Sequence, residues 1–139
     1  VIGQADEARE DALASYGFAL GQAFQITDDW LDYSGQDGAL GKNLGDDLAE
    51  GKVTLPLIQA LRRAGEADRR FLTEVIRSGG TEDLDRVREI LRASGALDES
   101  LARAVEFSDR AVQALDALPD SPERDALATL ARFAVDRSL

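Results

Sequence analysis

Residues 17–33 read GFALGQAFQITDDWLDY. This stretch sets three aspartates, Asp28, Asp29 and Asp32, among Phe24, Ile26, Trp30, Leu31 and Tyr33. On a helical wheel of about 100° per residue, Gly17, Gly21, Gln25, Asp28, Asp29 and Asp32 fall on one side together with Phe24. Leu13, Tyr16, Ala19, Leu20, Ala23, Ile26, Thr27, Trp30, Leu31 and Tyr33 occupy the rest. A helix apolar around most of its circumference is a buried helix. The carboxylates are therefore expected to face an internal cavity.

The rest of the chain reads as helical too. Prolines stand only at 56, 119 and 122, and no alternating strand pattern is present. The first helix is expected from the N-cap Asp6 to about Tyr33. Residues 34–52, SGQDGALGKNLGDDLAEGK, form a glycine-rich loop with a short turn near Asp47–Ala49. Further helices are expected from Thr54 and Pro56 to about Gly65, from 66 to 77, and from 82 to 94 with Thr81 as cap. The last two run from 97 to 118, ended by Pro119, and from 122 to 138, opened by Ser121 and Pro122. Apolar stripes such as Leu84, Val87, Ile90 and Leu91, or Phe71, Leu72, Val75 and Ile76, mark packing faces, as do Leu101, Val105, Ala111, Val112, Leu115 and Leu118. Arg86, Arg88 and Glu89 are expected on a solvated face.

Composition narrows the function. The 139 residues contain no cysteine and no histidine, which removes disulfides, Cys or His metal ligands and histidine bases from this chain. The net charge of −11 argues against nucleic acid as a partner. No run approaches the roughly 20 apolar residues of a membrane span, and no signal peptide is visible, so a cytoplasmic location is expected. The chain begins at Val1 and lacks methionine, so further sequence upstream is expected.

Carboxylates on adjacent helical turns repel by about 3 kcal/mol at an effective dielectric near 20. A raised pKa or a bound cation relieves this. Oxygen-only donors suit a hard divalent ion such as Mg²⁺, which binds through one or two carboxylates plus substrate phosphates. Asp28, Asp29 and Asp32 are thus candidate metal residues, and a phosphate-bearing ligand is implied. Lys42 and Lys52, in LGKNLG and EGKVT, are candidate anion contacts, with Asp46 and Asp47 nearby. Gln25 can hydrogen-bond a metal-bound water or a substrate oxygen. Gly17 and Gly21 leave a bare wall for a long apolar ligand or a close approach for a neighbouring helix. Trp30 is expected in the core.

With these pieces assembled, residues 17–58 resemble the second aspartate-rich region of trans-type polyprenyl diphosphate synthases. The likeness is carried by the FQ pair (Phe24, Gln25), DDxxD (Asp28, Asp29, Asp32), the GK pair (Gly41, Lys42), GxD (Gly45, Asp47) and GKxTLP (Gly51 to Pro56). SGAL at 94–97 and LPDSPERDAL at 118–127 are similar to the family's C-terminal helices. The resemblance implies an all-α helical bundle of the isoprenoid synthase type around a deep cavity. It implies a Mg²⁺-dependent prenyltransferase that joins isopentenyl diphosphate to an allylic diphosphate by ionisation, condensation and proton loss. Asp28 would be the main metal ligand, with Asp29 and Asp32 holding its waters or a neighbouring ion. Lys42 would stabilise the leaving diphosphate, with Gln25, Lys52 and Phe24 in supporting substrate-binding roles.

The family's first aspartate-rich motif, its arginine pair and its isopentenyl diphosphate residues are missing. Residues 1–139 thus look like the C-terminal portion of one polyprenyl synthetase domain, a segment expected to be inactive alone. A homo-oligomer, most simply a dimer, is expected to cover the apolar first helix. A non-catalytic partner subunit is the competing reading, disfavoured by the intact acids and Lys42. A class I terpene cyclase is another, disfavoured by DDxxD where an NSE-type motif is usual.

Overall fold

The computed structural model describes residue 3 and residues 5–35, 44–79 and 81–136. Among these every regular element is helical: α1 Glu7–Ser34, α2 Asp46–Ala49, α3 Leu55–Arg63, α4 Glu66–Ser78, α5 Leu84–Ala93, α6 Ala96–Ala114 and α7 Pro122–Asp136, with a 3₁₀ turn at Leu115–Ala117. The expected all-α class is the observed one. Residues 137 and 138, expected at the end of the last helix, lie outside the described residues.

The helix ends show which local signals are obeyed. Asp6 Oδ1 accepts the Arg9 amide at 2.9 Å, and Ser121 Oγ accepts the Arg124 amide at 3.1 Å, so both act as N-caps. Gly79 and Gly95 take positive φ (64° and 71°) where α4 and α5 end. Thr81 is not a side-chain cap. Residues 81–83 make a turn, Leu84 N–H donates to the Thr81 carbonyl at 3.1 Å, and α5 starts two residues later than expected. The helix expected to reach 118 ends at Ala114 and tightens into the 3₁₀ turn. Pro119 forces its predecessor into extended backbone, and Leu118 has φ −96° and ψ 147°. α3 closes at Arg63, before Gly65, where Ala64 turns extended (φ −65°, ψ 149°), and the Arg69 guanidinium donates to the carbonyls of Leu61 (3.0 Å) and Ala64 (3.1 Å).

The described chain divides into two compact units. One comprises residues 1–27 and 103–139. Its core is built on small residues: Tyr16, Ala19, Ala111, Leu115 and Ala131 are buried, with Leu20, Phe107, Val112, Leu118 and Leu127 packed around them. Tyr16 Oη donates to the Leu127 carbonyl at 2.9 Å and buried Ser108 Oγ to that of Ala131 at 2.8 Å. These bonds satisfy polar atoms that would otherwise cost about 1–3 kcal/mol each. Val105, expected in the packing stripe, is instead exposed, and Ala104 takes the buried position. The smaller side chain permits closer helix packing.

The other unit comprises residues 28–102. Tyr33, Leu48, Leu57, Leu72, Val87 and Leu91 are fully buried, with Val75, Ile90, Ala96 and Leu97 beside them and Trp30, Phe71, Ile76 and Leu84 at the margin. Each large apolar side chain so buried contributes roughly 1.5–3 kcal/mol. The α4 and α5 stripes read from the sequence are this core. Arg86 and Arg88 do not sit on a purely solvated face. Arg86 stacks over the Phe71 ring at 4.0 Å. Arg88 is half-buried against the end of α1. Both stems flank the apolar stripe of a narrow amphipathic helix, where a long side chain covers core and reaches a partner at its tip.

Candidate functional site

The aspartates occupy the last two turns of α1, the negative end of a helix of 28 residues that has no basic residue in its final turn. Three acids there compound the negative potential of the terminal carbonyls. Asp29 and Asp32 are nearly buried, at 8% and 4% exposure, while Asp28 is half-exposed. The motif is therefore not an outer-surface cluster.

Asp32 is tied to the return of the chain. Its carbonyl accepts the Gly45 amide at 3.1 Å, and its Oδ2 accepts the Asp47 amide at 3.3 Å. It thus serves an orphan donor of α2, whose own N-cap, Gly45, has no side chain to offer. Gly45 sits at φ +80°, and a Cβ there would meet Leu84 Cδ1 at 2.9 Å. Both its backbone angle and its packing exclude a side chain. Tyr33 Oη and Thr54 Oγ1 are buried near one another, with no well-formed hydrogen bond among the described residues. Burial pushes the Tyr33 phenol well up, and the Asp32 charge adds to it.

Among the described residues no three Asp or Glu side chains gather closely enough to share one ion. The expected trio is therefore no three-carboxylate cage. What it offers is an open site: the accessible Asp28, with Asp32 one turn on and already ordered by α2. Such a donor set fits a hard ion that completes its shell with water and phosphate oxygens.

Lys52 Nζ lies 2.5 Å from Glu50 Oε2 and 3.3 Å from Asp47 Oδ1, which raises its pKa, chiefly through the bond to Glu50. Lys52 is thus engaged by Glu50 and Asp47. Lys42 and Gly41 lie outside the described residues. Gln25 is on α1 one turn before the aspartates and is exposed, as is Phe24. Gly17 and Gly21 have open space where a side chain would go, so the close-packing use is not made among the described residues. They line an apolar groove of about 440 Å³ with Leu20, Phe24, Leu130, Phe133 and Ala134.

Two features escaped the sequence reading. One is Arg88, whose Nε donates to the Tyr33 carbonyl at 2.8 Å and whose Nη2 donates to that of Gly35 at 3.1 Å. Its signal was its place one turn after Leu84, bordering Val87 and Leu91. The other is the Tyr33–Thr54 hydroxyl pair, which no local pattern marks.

The polyprenyl synthetase family profile matches residues 1–94. The octaprenyl diphosphate synthase of Haemophilus influenzae is 45% identical over 139 residues, covering 99% of this chain and 42% of that protein. The polyprenyl synthase of Caulobacter crescentus, solved with calcium and isoprenyl diphosphate, superposes with a TM-score of 0.89 at 46% identity, covering 97% of this chain and 42% of that one. The geranylgeranyl pyrophosphate synthase of Corynebacterium glutamicum, solved with isoprenyl diphosphate and magnesium, gives 0.81 at 34%, covering 96% and 39%. The fold and the aspartate-bearing helix define an isoprenoid-synthase type of protein. The chain belongs to the polyprenyl synthetase family, and it spans about two fifths of the length of these relatives.

Proposed function

We propose that this chain supplies the second ion- and diphosphate-binding half-site of a prenyl diphosphate synthase. The carrying observation is the set of acids at the carbonyl end of α1, two of them nearly buried. Buried like charges at a helix C-terminus call for a cation. The parent reaction joins isopentenyl diphosphate to an allylic diphosphate. The allylic C–O bond breaks, pyrophosphate leaves, the isopentenyl double bond attacks the allylic carbon, and a proton is lost.

In this reading Asp28 holds the ion directly, and Asp29 and Asp32 hold its waters or a second ion. Mg²⁺ bound there would neutralise charge developing on the leaving diphosphate. Asp32, fixed by the α2 amide, keeps one carboxylate oriented before the ligand arrives, so little reorganisation is needed. Lys42 contacts the diphosphate. Lys52 does so by exchanging Glu50 and Asp47 for phosphate oxygens, and the present pairs keep it protonated and nearby. Phe24 and Gln25 support the substrate one turn upstream. The relatives solved with calcium or magnesium and isoprenyl diphosphate support the ligand class. We place the protein in the cytoplasm as a self-associating chain. Exposed Phe18, Phe24 and Phe133 support the self-association.

Calorimetric titration of the 139-residue chain with pyrophosphate, with and without Mg²⁺, tests this. Binding is expected only with the metal. Asp28→Asn is expected to weaken it at least about tenfold, near 1.4 kcal/mol. Equal binding by the variant would reject the half-site.

A further inference from the structure

We propose that Arg88 is a positioning residue for the aspartate-rich end of α1, acting on Asp32 through the backbone; this rests on reading that end as the ion and diphosphate half-site. The helix needs such a partner. Its last turn has carbonyls with no intrahelical donor, carries acids, and lacks a basic residue of its own. Arg88 supplies the missing cation from α5. Its side chain is 19% exposed, so its bonds to the carbonyls of Tyr33 and Gly35 are shielded from solvent. It also lies 3.9 Å from Asp85, a side chain almost wholly exposed, which competes weakly.

The geometry reaches Asp32 from two directions. Arg88 holds the carbonyl of the next residue, Tyr33. Leu84, one turn earlier on α5, presses against Gly45, whose amide donates to the Asp32 carbonyl. The Asp47 amide then meets Asp32 Oδ2. One face of α5 therefore sets both the helix end that carries Asp32 and the segment that orients its carboxylate. A planar guanidinium presents two nitrogens to the two carbonyls in fixed geometry, whereas an ammonium must reach both from one nitrogen.

The test uses the whole chain with Arg88→Gln, Arg88→Lys and the exposed Arg92→Gln as control. The two readouts are amide hydrogen exchange at Gly45 and Asp47 without ligand, and Mg²⁺-dependent pyrophosphate affinity. For Arg88→Gln both are expected to change about tenfold, faster exchange and weaker binding, the scale of one hydrogen bond to a charged group. The Ala111 amide is expected to hold its rate. Arg88→Lys should fall between, and Arg92→Gln should match the parent chain. Unchanged exchange at Gly45 and Asp47 in Arg88→Gln would overturn the proposal, as would faster exchange with unaltered affinity. If the parent chain binds no Mg²⁺–pyrophosphate, the half-site reading fails by itself. The exchange rates then still decide whether Arg88 fixes Asp32.

Discussion

Gly45 concentrates several demands in one position. Its backbone is left-handed, its Cα faces Leu84, and its amide serves Asp32. Gly45→Ala is expected to destabilise by about 1–3 kcal/mol, more than the left-handed angle alone would cost, because Leu84 must also move. Urea unfolding measures it. The tyrosines give a pH test. Burial raises the pKa of both Tyr16 and Tyr33 above the ordinary 10.0. Above pH 10 the unfolded chain gives up phenolic protons that the folded chain keeps. Stability is therefore constant on this account below about pH 10 and falls as pH rises beyond it. Absorbance of tyrosinate in the folded protein should lag behind that of the urea-unfolded chain. At this scale the three aspartates were easy to single out in the sequence, since acids in an apolar helix are a local anomaly. It could not name Arg88 or the Tyr33–Thr54 pair. Their meaning lies in contacts 21 to 55 positions apart along the chain.

The helices themselves were largely legible, since caps, prolines and glycines act within a few residues. Asp6 and Ser121 behaved as their residue types demand. Ser121→Ala is expected to cost about 1 kcal/mol, seen as a lower thermal midpoint. Thr81 failed as a cap because residues 81–83 form a turn before α5 starts. The stop of α3 was hidden for a similar reason: its carbonyls are met by Arg69, a residue of the next helix. Arg69→Ala should fray α3 by exposing two carbonyls, and amide exchange at Ala64 is the readout.

At the scale of the molecule, two cores stabilise two units. Leu72→Ala and Leu115→Ala each empty a fully buried site, one per unit, and should each cost about 2–5 kcal/mol in urea titrations. Stripes along α4 and α5 revealed the first of these cores. The alanine-rich second core was harder to read, because small residues carry little hydropathy contrast. Prenyl transfer is expected to be absent when the chain is assayed alone with Mg²⁺ and both diphosphates. Labelled product above background would contradict this. The Arg88 clamp has a consequence for anyone who would borrow the motif. An engineer who grafted residues 17–58 onto a foreign bundle would carry over every acid and lysine of the signature yet leave its clasp behind. The transplanted acids would keep their spelling and lose their aim.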